Sequence, residues 1–192
     1  MTAEIREVGR EALPQFAGIP IRFRVESVFR VEENDAGVGG FRLVEEKVEK
    51  PYVKDYDTFE GETPTCWATH LDVTHWGFFL ALDGDKPVGA ATVACDTPGC
   101  SLLEGRKDLA VLWDIRVHPD RRREGIGTKV FQCVRDWARS RGCTRLKVET
   151  QNTNVRACRF YAKQSCRLEG IHRHVYPPPL EHEVMLLWRL DL

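Results

Sequence analysis

The stretch that most constrains this chain is Leu109–Lys129, where a strand, a basic loop and a helix follow one another. Leu109–Val117 reads as a strand ended by His118-Pro119. Ile126, Val130, Cys133, Val134, Trp137 and Ala138 then recur at helical spacing, and Gly142 supplies the stop. Between them lie Arg121, Arg122 and Arg123, followed by Glu124-Gly-Ile-Gly-Thr128. A helix N-terminus carries unpaired backbone N–H groups and partial positive charge. Gly125 and Gly127 allow close approach to that backbone, because no Cβ stands in the way. The combination describes a cradle for phosphate or pyrophosphate. It is neither a P-loop nor a Rossmann fingerprint: G-x-x-x-x-G-K-[ST] is absent, and the third glycine is missing after Gly125-x-Gly127. The spacing is Arg122-x-x-Gly125-x-Gly127.

The rest of the chain fits around this unit as a single α+β domain. At 192 residues and 42% hydrophobic, one sizeable core is expected. Residues 1–20 read as an N-terminal segment and 21–192 as the domain. Ile21–Val31 alternates as a half-buried strand, a flexible turn follows at Asn34–Gly40, and Phe41, Leu43 and Val44 start a second strand. Glu45–Thr65 is charged and reads as a long surface segment over a cleft. Trp76–Leu82 and Val88–Cys95 flank a hairpin turn. Leu146–Thr150 is a short strand, Asn154–Gln164 a helix, and Arg167–Tyr176 and Glu183–Leu190 are closing strands around Pro177-Pro-Pro179. Beta-rich first and mixed later, this order predicts a central mixed, mostly antiparallel twisted sheet flanked by helices.

With 28 basic and 29 acidic residues the formal charge is -1, so no global pull toward nucleic acid or a membrane surface is expected. Trp76–Leu82, the densest apolar run, is too short to span a bilayer, and MTAEIREVGREALP lacks the apolar stretch of a signal peptide. Seven cysteines with no C-x-x-C pair argue for reduced thiols in a cytoplasmic protein with no metal site.

Three stretches in order, Asp114-Ile-Arg-Val-His-Pro119, Arg122-Arg-Glu-Gly-Ile-Gly127 and Asn154 through Phe160-Tyr-Ala-Lys163, resemble the cofactor-binding core of the GNAT family of acetyl-CoA-dependent N-acetyltransferases. Pro51-Tyr-Val-Lys-Asp-Tyr56, Val148-Glu-Thr-Gln-Asn152 and Val184-Met-Leu-Leu-Trp188 extend the likeness toward streptothricin acetyltransferases. Two departures stand near the expected acceptor site: Ser165-Cys166 replaces the usual Gly-Phe, and the following strand reads Ile171-His-Arg-His-Val-Tyr176.

The resemblance implies acetyl-CoA as co-substrate. It assigns the pyrophosphate to Arg122, Arg123, Glu124, Gly125, Ile126, Gly127 and Thr128, and the pantetheine arm to the backbone of Ile115, Arg116 and Val117 and the side chain of Asn154. Asn154 also reads as an ordinary helix cap. An amine with a pKa of about 10 is protonated at neutral pH, so a carboxylate must take its proton. Asp114 and Glu149 are the candidates, unless they merely pair with Arg116 and Lys147. Tyr161 is the candidate general acid for the departing thiolate and a further cofactor contact, or else a core aromatic. His172 and His174 flank the expected acceptor site, where a structural role is the plainer reading. The acidic run Asp55, Asp57, Glu60, Glu62 faces either a cationic substrate or solvent. The expected partner is a small-molecule amine, streptothricin-like, and the expected state a monomer or homodimer. The rival readings are a protein or peptide N-acetyltransferase and a non-catalytic acyl-CoA-binding regulatory module.

Overall fold

The computed structural model describes residues 3–192. The chain divides into two compact units. The first comprises the chain through Arg22, Asp55–Val148 and Arg189–Leu192; the second comprises Phe23–Lys54 and Glu149–Trp188.

In the first unit, β1 (Glu4–Val8) pairs antiparallel with β4 (Gly77–Asp83), which forms a hairpin with β5 (Lys86–Cys95). The next strand, β6 (Leu109–Val117), is antiparallel to β5 and parallel to β7 (Arg145–Gln151). The sheet is therefore mixed and mostly antiparallel, as expected. Three helices belong here: α1 (Leu13–Ala17), α2 (Pro64–His70) and α3 (Ile126–Ser140). Phe16 and Trp67, from α1 and α2, share one core cluster with Phe78, Leu80, Ala90 and Val111. The long helix α3 buries Val130, Phe131, Val134 and Trp137 and packs against β4, β5 and β6. Both faces of β4 and β5 are thus covered, which explains their near-continuous apolar runs.

Glycine sets how closely α3 approaches. A Cβ at Gly77 would stand 2.7 Å from Trp137 Cε2, and one at Gly89 2.7 Å from Ile126 Cγ2. Only a bare backbone lets both ends of the helix sit on the strands.

The second unit contains the hairpin of β2 (Phe23–Glu33) and β3 (Phe41–Lys54), helix α4 (Val155–Lys163), β8 (Arg167–His172) and most of β9 (Met185–Asp191); the strand order here is β7-β9-β8. The segment expected as a charged surface stretch from Glu45 is strand as far as Lys54. Its charges are cross-strand partners: Arg30 Nε donates to Glu46 at 2.6 Å and Ser27 Oγ to Glu45 at 2.6 Å. Such pairs hold a ladder together without an apolar period to betray it. Asn152 knots this unit. It exchanges bonds of 2.9 Å with the backbone of Phe29 on β2 and with the backbone of Val184 before β9. At the end of β3, Lys54 is buried in an ion pair with Glu183.

All seven cysteines are free thiols. Burial pushes Cys158 up to about 12, so it behaves as a small hydrophobe rather than a nucleophile.

Candidate active site

Strand β6 carries a bulge. Thr92 pairs with Asp114 but Val93 with Leu112, which leaves Trp113 as the extra residue. The parallel ladder to β7 runs from Leu109↔Arg145 only as far as Leu112↔Val148. Beyond the bulge, residues 114–117 therefore have ladder partners on β5 alone in this unit. A bulge at the point where pairing ends is a common way of re-aiming a strand beside a functional site.

Just past the bulge, Asp114 and Arg116 point inward. Arg116 Nε and Nη2 each reach an oxygen of Asp114 at 2.8 Å. The same guanidinium reaches Asp57 at 3.1 and 3.3 Å and the carbonyl of Ile19 at 3.2 Å. Burial works against the Arg116 charge, but Asp114 and Asp57 outweigh it and hold the group above its ordinary value. Burial also raises Asp57, with Arg116 opposing. The pairing of Asp114 with Arg116, one of the alternatives open from sequence, is thus present, and it is buried. Asp57 turns inward as well, while Glu60 and Glu62 stay exposed.

The loop after β6 spends two of its three arginines on its own shape. Arg121 bonds Glu124 at 2.9 Å and Asp83 at 2.5 Å. Arg122 ties the carbonyls of Val117 and Arg22 together at 3.1 and 2.8 Å. Arg123, at φ 68°, is exposed. Gly125 caps α3 at φ 82° with open space where a Cβ would stand, and no acidic residue occupies the first turn. The N–H groups of Ile126 and Gly127 fall in that turn, where a helix offers them no acceptor.

The second unit holds the other candidates. Glu149 is half-buried on β7 and accepts a bond of 2.8 Å at Oε1 from the Tyr176 hydroxyl. Gln151 Nε2 in turn donates to Tyr176 at 3.1 Å. Burial pushes the Glu149 carboxyl above its usual range, with Tyr176 and His172 opposing. Lys147, its alternative partner from sequence, pairs with Glu104 instead, at 2.5 Å. Asn154 caps α4 by accepting from the Ala157 N–H at 3.1 Å. Tyr161 is buried, its ring 5.5 Å from Phe160 and 6.5 Å from Trp188. Beside the start of α4, Phe23, Ser27, Thr153, Val155, Arg156 and Arg159 line a cleft of about 170 Å³. The Thr153 hydroxyl is buried without a hydrogen-bond partner among the described residues. His172 and His174 are exposed. The acidic run pointed to Asp57 without indicating Arg116, and no local pattern joined Gln151 or Tyr176 to Glu149, since Tyr176 lies 27 positions from it.

The model of the Acetyltransferase (GNAT) family matches residues 41–165. The chain belongs to the GNAT family. It is an N-acetyltransferase, and acetyl-CoA is its acetyl donor. Among curated relatives, streptothricin acetyltransferase A of Bacillus subtilis is 26% identical over 78% of this chain and 79% of its own length. Streptothricin acetyltransferase of Escherichia coli is 29% identical over 86% and 83%. Among solved structures, nourseothricin acetyltransferase superposes with a TM-score of 0.76 at 22% identity, over 100% of this chain and 99% of that one. That likeness establishes the GNAT fold. In this GNAT chain the β6 bulge and the glycine-capped start of α3 lie in one unit; Glu149, Asn154 and Tyr161 lie in the other. No helix of the described residues is long and apolar enough to cross a membrane.

Proposed function

We propose that this GNAT enzyme acetylates a primary amine of a small, streptothricin-like molecule, the amine attacking the thioester directly. The observation that carries the reading is Glu149: half-buried, held above the usual carboxylate range by burial, and with Oε2 accepting no hydrogen bond among the described residues. A carboxylate with one oxygen open can take the proton of a bound ammonium. Curated streptothricin acetyltransferases matching more than three quarters of the chain support the substrate class.

The residues present fit acetyl-CoA. Gly125 leaves room where a side chain would block the helix start, and Arg123 stands exposed beside it. A diphosphate there meets first-turn N–H groups and a fixed cation. Ile115, Arg116 and Val117 offer backbone along the strand edge for the pantetheine arm, as an added strand would use it. In the second unit the Thr153 hydroxyl, buried without a hydrogen-bond partner among the described residues, stands next to Asn154 and suits an amide ligand. Arg122 acts as a strut of the loop, and Glu124 is held off the phosphate site by Arg121.

Acetyl-CoA supplies an acetyl group on a thioester whose sulfur leaves as a thiolate. Glu149 takes the proton of the substrate ammonium at Oε2; the N–H electron pair stays on nitrogen, which becomes nucleophilic. As the amine nitrogen bonds the acetyl carbon and the C–S electron pair leaves on sulfur, the Tyr161 hydroxyl gives its proton to that sulfur, and the second proton shed by the new amide nitrogen restores the phenol. Asp114 is not the base in this reading, because Arg116 engages both of its oxygens.

Free-thiol release from acetyl-CoA tests the reading, against a panel of small amines including streptothricin and a peptide N-terminus. Turnover with streptothricin is expected, reduced roughly 10²–10⁴-fold in Glu149→Gln. Release with the peptide alone would overturn the substrate class, and a fully active Glu149→Gln would overturn the base.

A further inference from the structure

We propose that Tyr176 and Gln151 form a positioning pair that reserves Oε1 of Glu149 and leaves Oε2 as the only oxygen that takes the amine proton. The inference rests on Glu149 being the base. Gln151 and Glu149 stand two residues apart on β7, hence on one face of the strand. Tyr176 comes from the connection between β8 and β9, and its hydroxyl bridges the two side chains. The direction of the bonds is fixed by chemistry. A glutamine nitrogen only donates and a carboxylate only accepts, so the single tyrosine proton must point at Oε1.

A proton on Oε1 would lose that bond and face the hydroxyl proton. The ammonium proton therefore goes to Oε2. The N–H bond breaks with its electron pair left on nitrogen, an O–H bond forms at Oε2, and Oε1 remains the acceptor of Tyr176 throughout. The pair also opposes burial. A hydrogen bond to the charged form keeps the carboxylate able to ionise in a half-buried place. The titratable groups acting on Glu149 are Tyr176 and, from β8, His172. Neighbouring Arg173 is turned to Glu33.

The test is a pH titration of the Glu149 carboxyl carbon by ¹³C NMR in the full chain labelled at glutamate, with Glu149→Gln identifying the signal. Tyr176→Phe removes one oxygen and should move the midpoint up by about one unit, a tenfold change in proton affinity. Gln151→Met should move it the same way by less. With acetyl-CoA and streptothricin, the acidic limb of kcat/KM should follow. An unmoved midpoint in Tyr176→Phe overturns the pair as a tuning device; if that variant does not fold, an unmoved midpoint in Gln151→Met does so. Loss of activity with both midpoint and limb unmoved means that Tyr176 only anchors the connection. An active Glu149→Gln removes the base reading instead, whatever the titrations give.

Discussion

Arg116 keeps its charge where water is nearly absent, its side chain 1% exposed. It does so because two carboxylates and the backbone carbonyls of Phe16 and Ile19 satisfy the fork. Removing one partner of such a group leaves the other uncompensated, which typically costs about 3–5 kcal/mol. Asp114→Ala should therefore lower the unfolding free energy by roughly that amount in urea titrations. A drop below about 1 kcal/mol would mean that the pair is not a structural lock. Glu149 behaves in the opposite sense. Burial raises its pKa on folding, so the folded chain binds more protons than the unfolded chain between the two values. The stability it permits is full below the ordinary carboxylate range and declines as pH rises through the folded-state pKa. Glu149→Gln should thus melt higher than the parent at about pH 8 and indistinguishably at about pH 4. Equal melting at both would remove the burial penalty. Two residues apart on a strand, Asp114 and Arg116 share a face by alternation alone. Alternation could not reveal Asp57, because a partner 59 positions away leaves no trace in a local pattern.

At the scale of elements, legibility follows burial. Strand β6 and helix α3 press apolar faces into a core, and their periods gave them away to within a residue or so. Strand β3 is largely exposed and paired through charges, so its period carries no apolar signal. The edge strand β1 is short and half-exposed for the same reason. Periodicity is equally blind to how closely two elements pack. At Gly89 the strand meets Ile126, the first residue of α3, and an added Cβ would also stand 3.3 Å from Ala81 Cβ. Ile126 is buried and has little room to turn away, so the start of the helix must move. Gly89→Ala is expected to cost about 1–3 kcal/mol and to weaken coenzyme A binding, because the displaced turn is the one proposed to meet the diphosphate. Denaturant midpoints and titration calorimetry read both effects. An unchanged affinity in a destabilised variant would separate the packing of α3 from its role as a cradle.

For the whole molecule, the near-balance of 28 basic against 29 acidic residues leaves no long-range field to gather a polyanion. Attraction for the cofactor must come from a few local groups. With Arg121 and Arg122 committed to the loop, the groups proposed for this are the start of α3 and Arg123. A ligand that binds only the folded chain stabilises it by mass action, about 2.7 kcal/mol when present at a hundredfold over its Kd. For a chain of this length that corresponds to a rise in Tm of about 5–10 °C. Coenzyme A should produce that rise, and inorganic phosphate at the same concentration only a small part of it, since phosphate offers only the group proposed to meet the helix start. Arg123→Ala removes one cation and should require about tenfold more coenzyme A for the same shift. A Tm indifferent to coenzyme A would mean that the glycine-capped turn is not a diphosphate site. A shift unaffected by Arg123→Ala would leave the helix start as the sole anion-binding element.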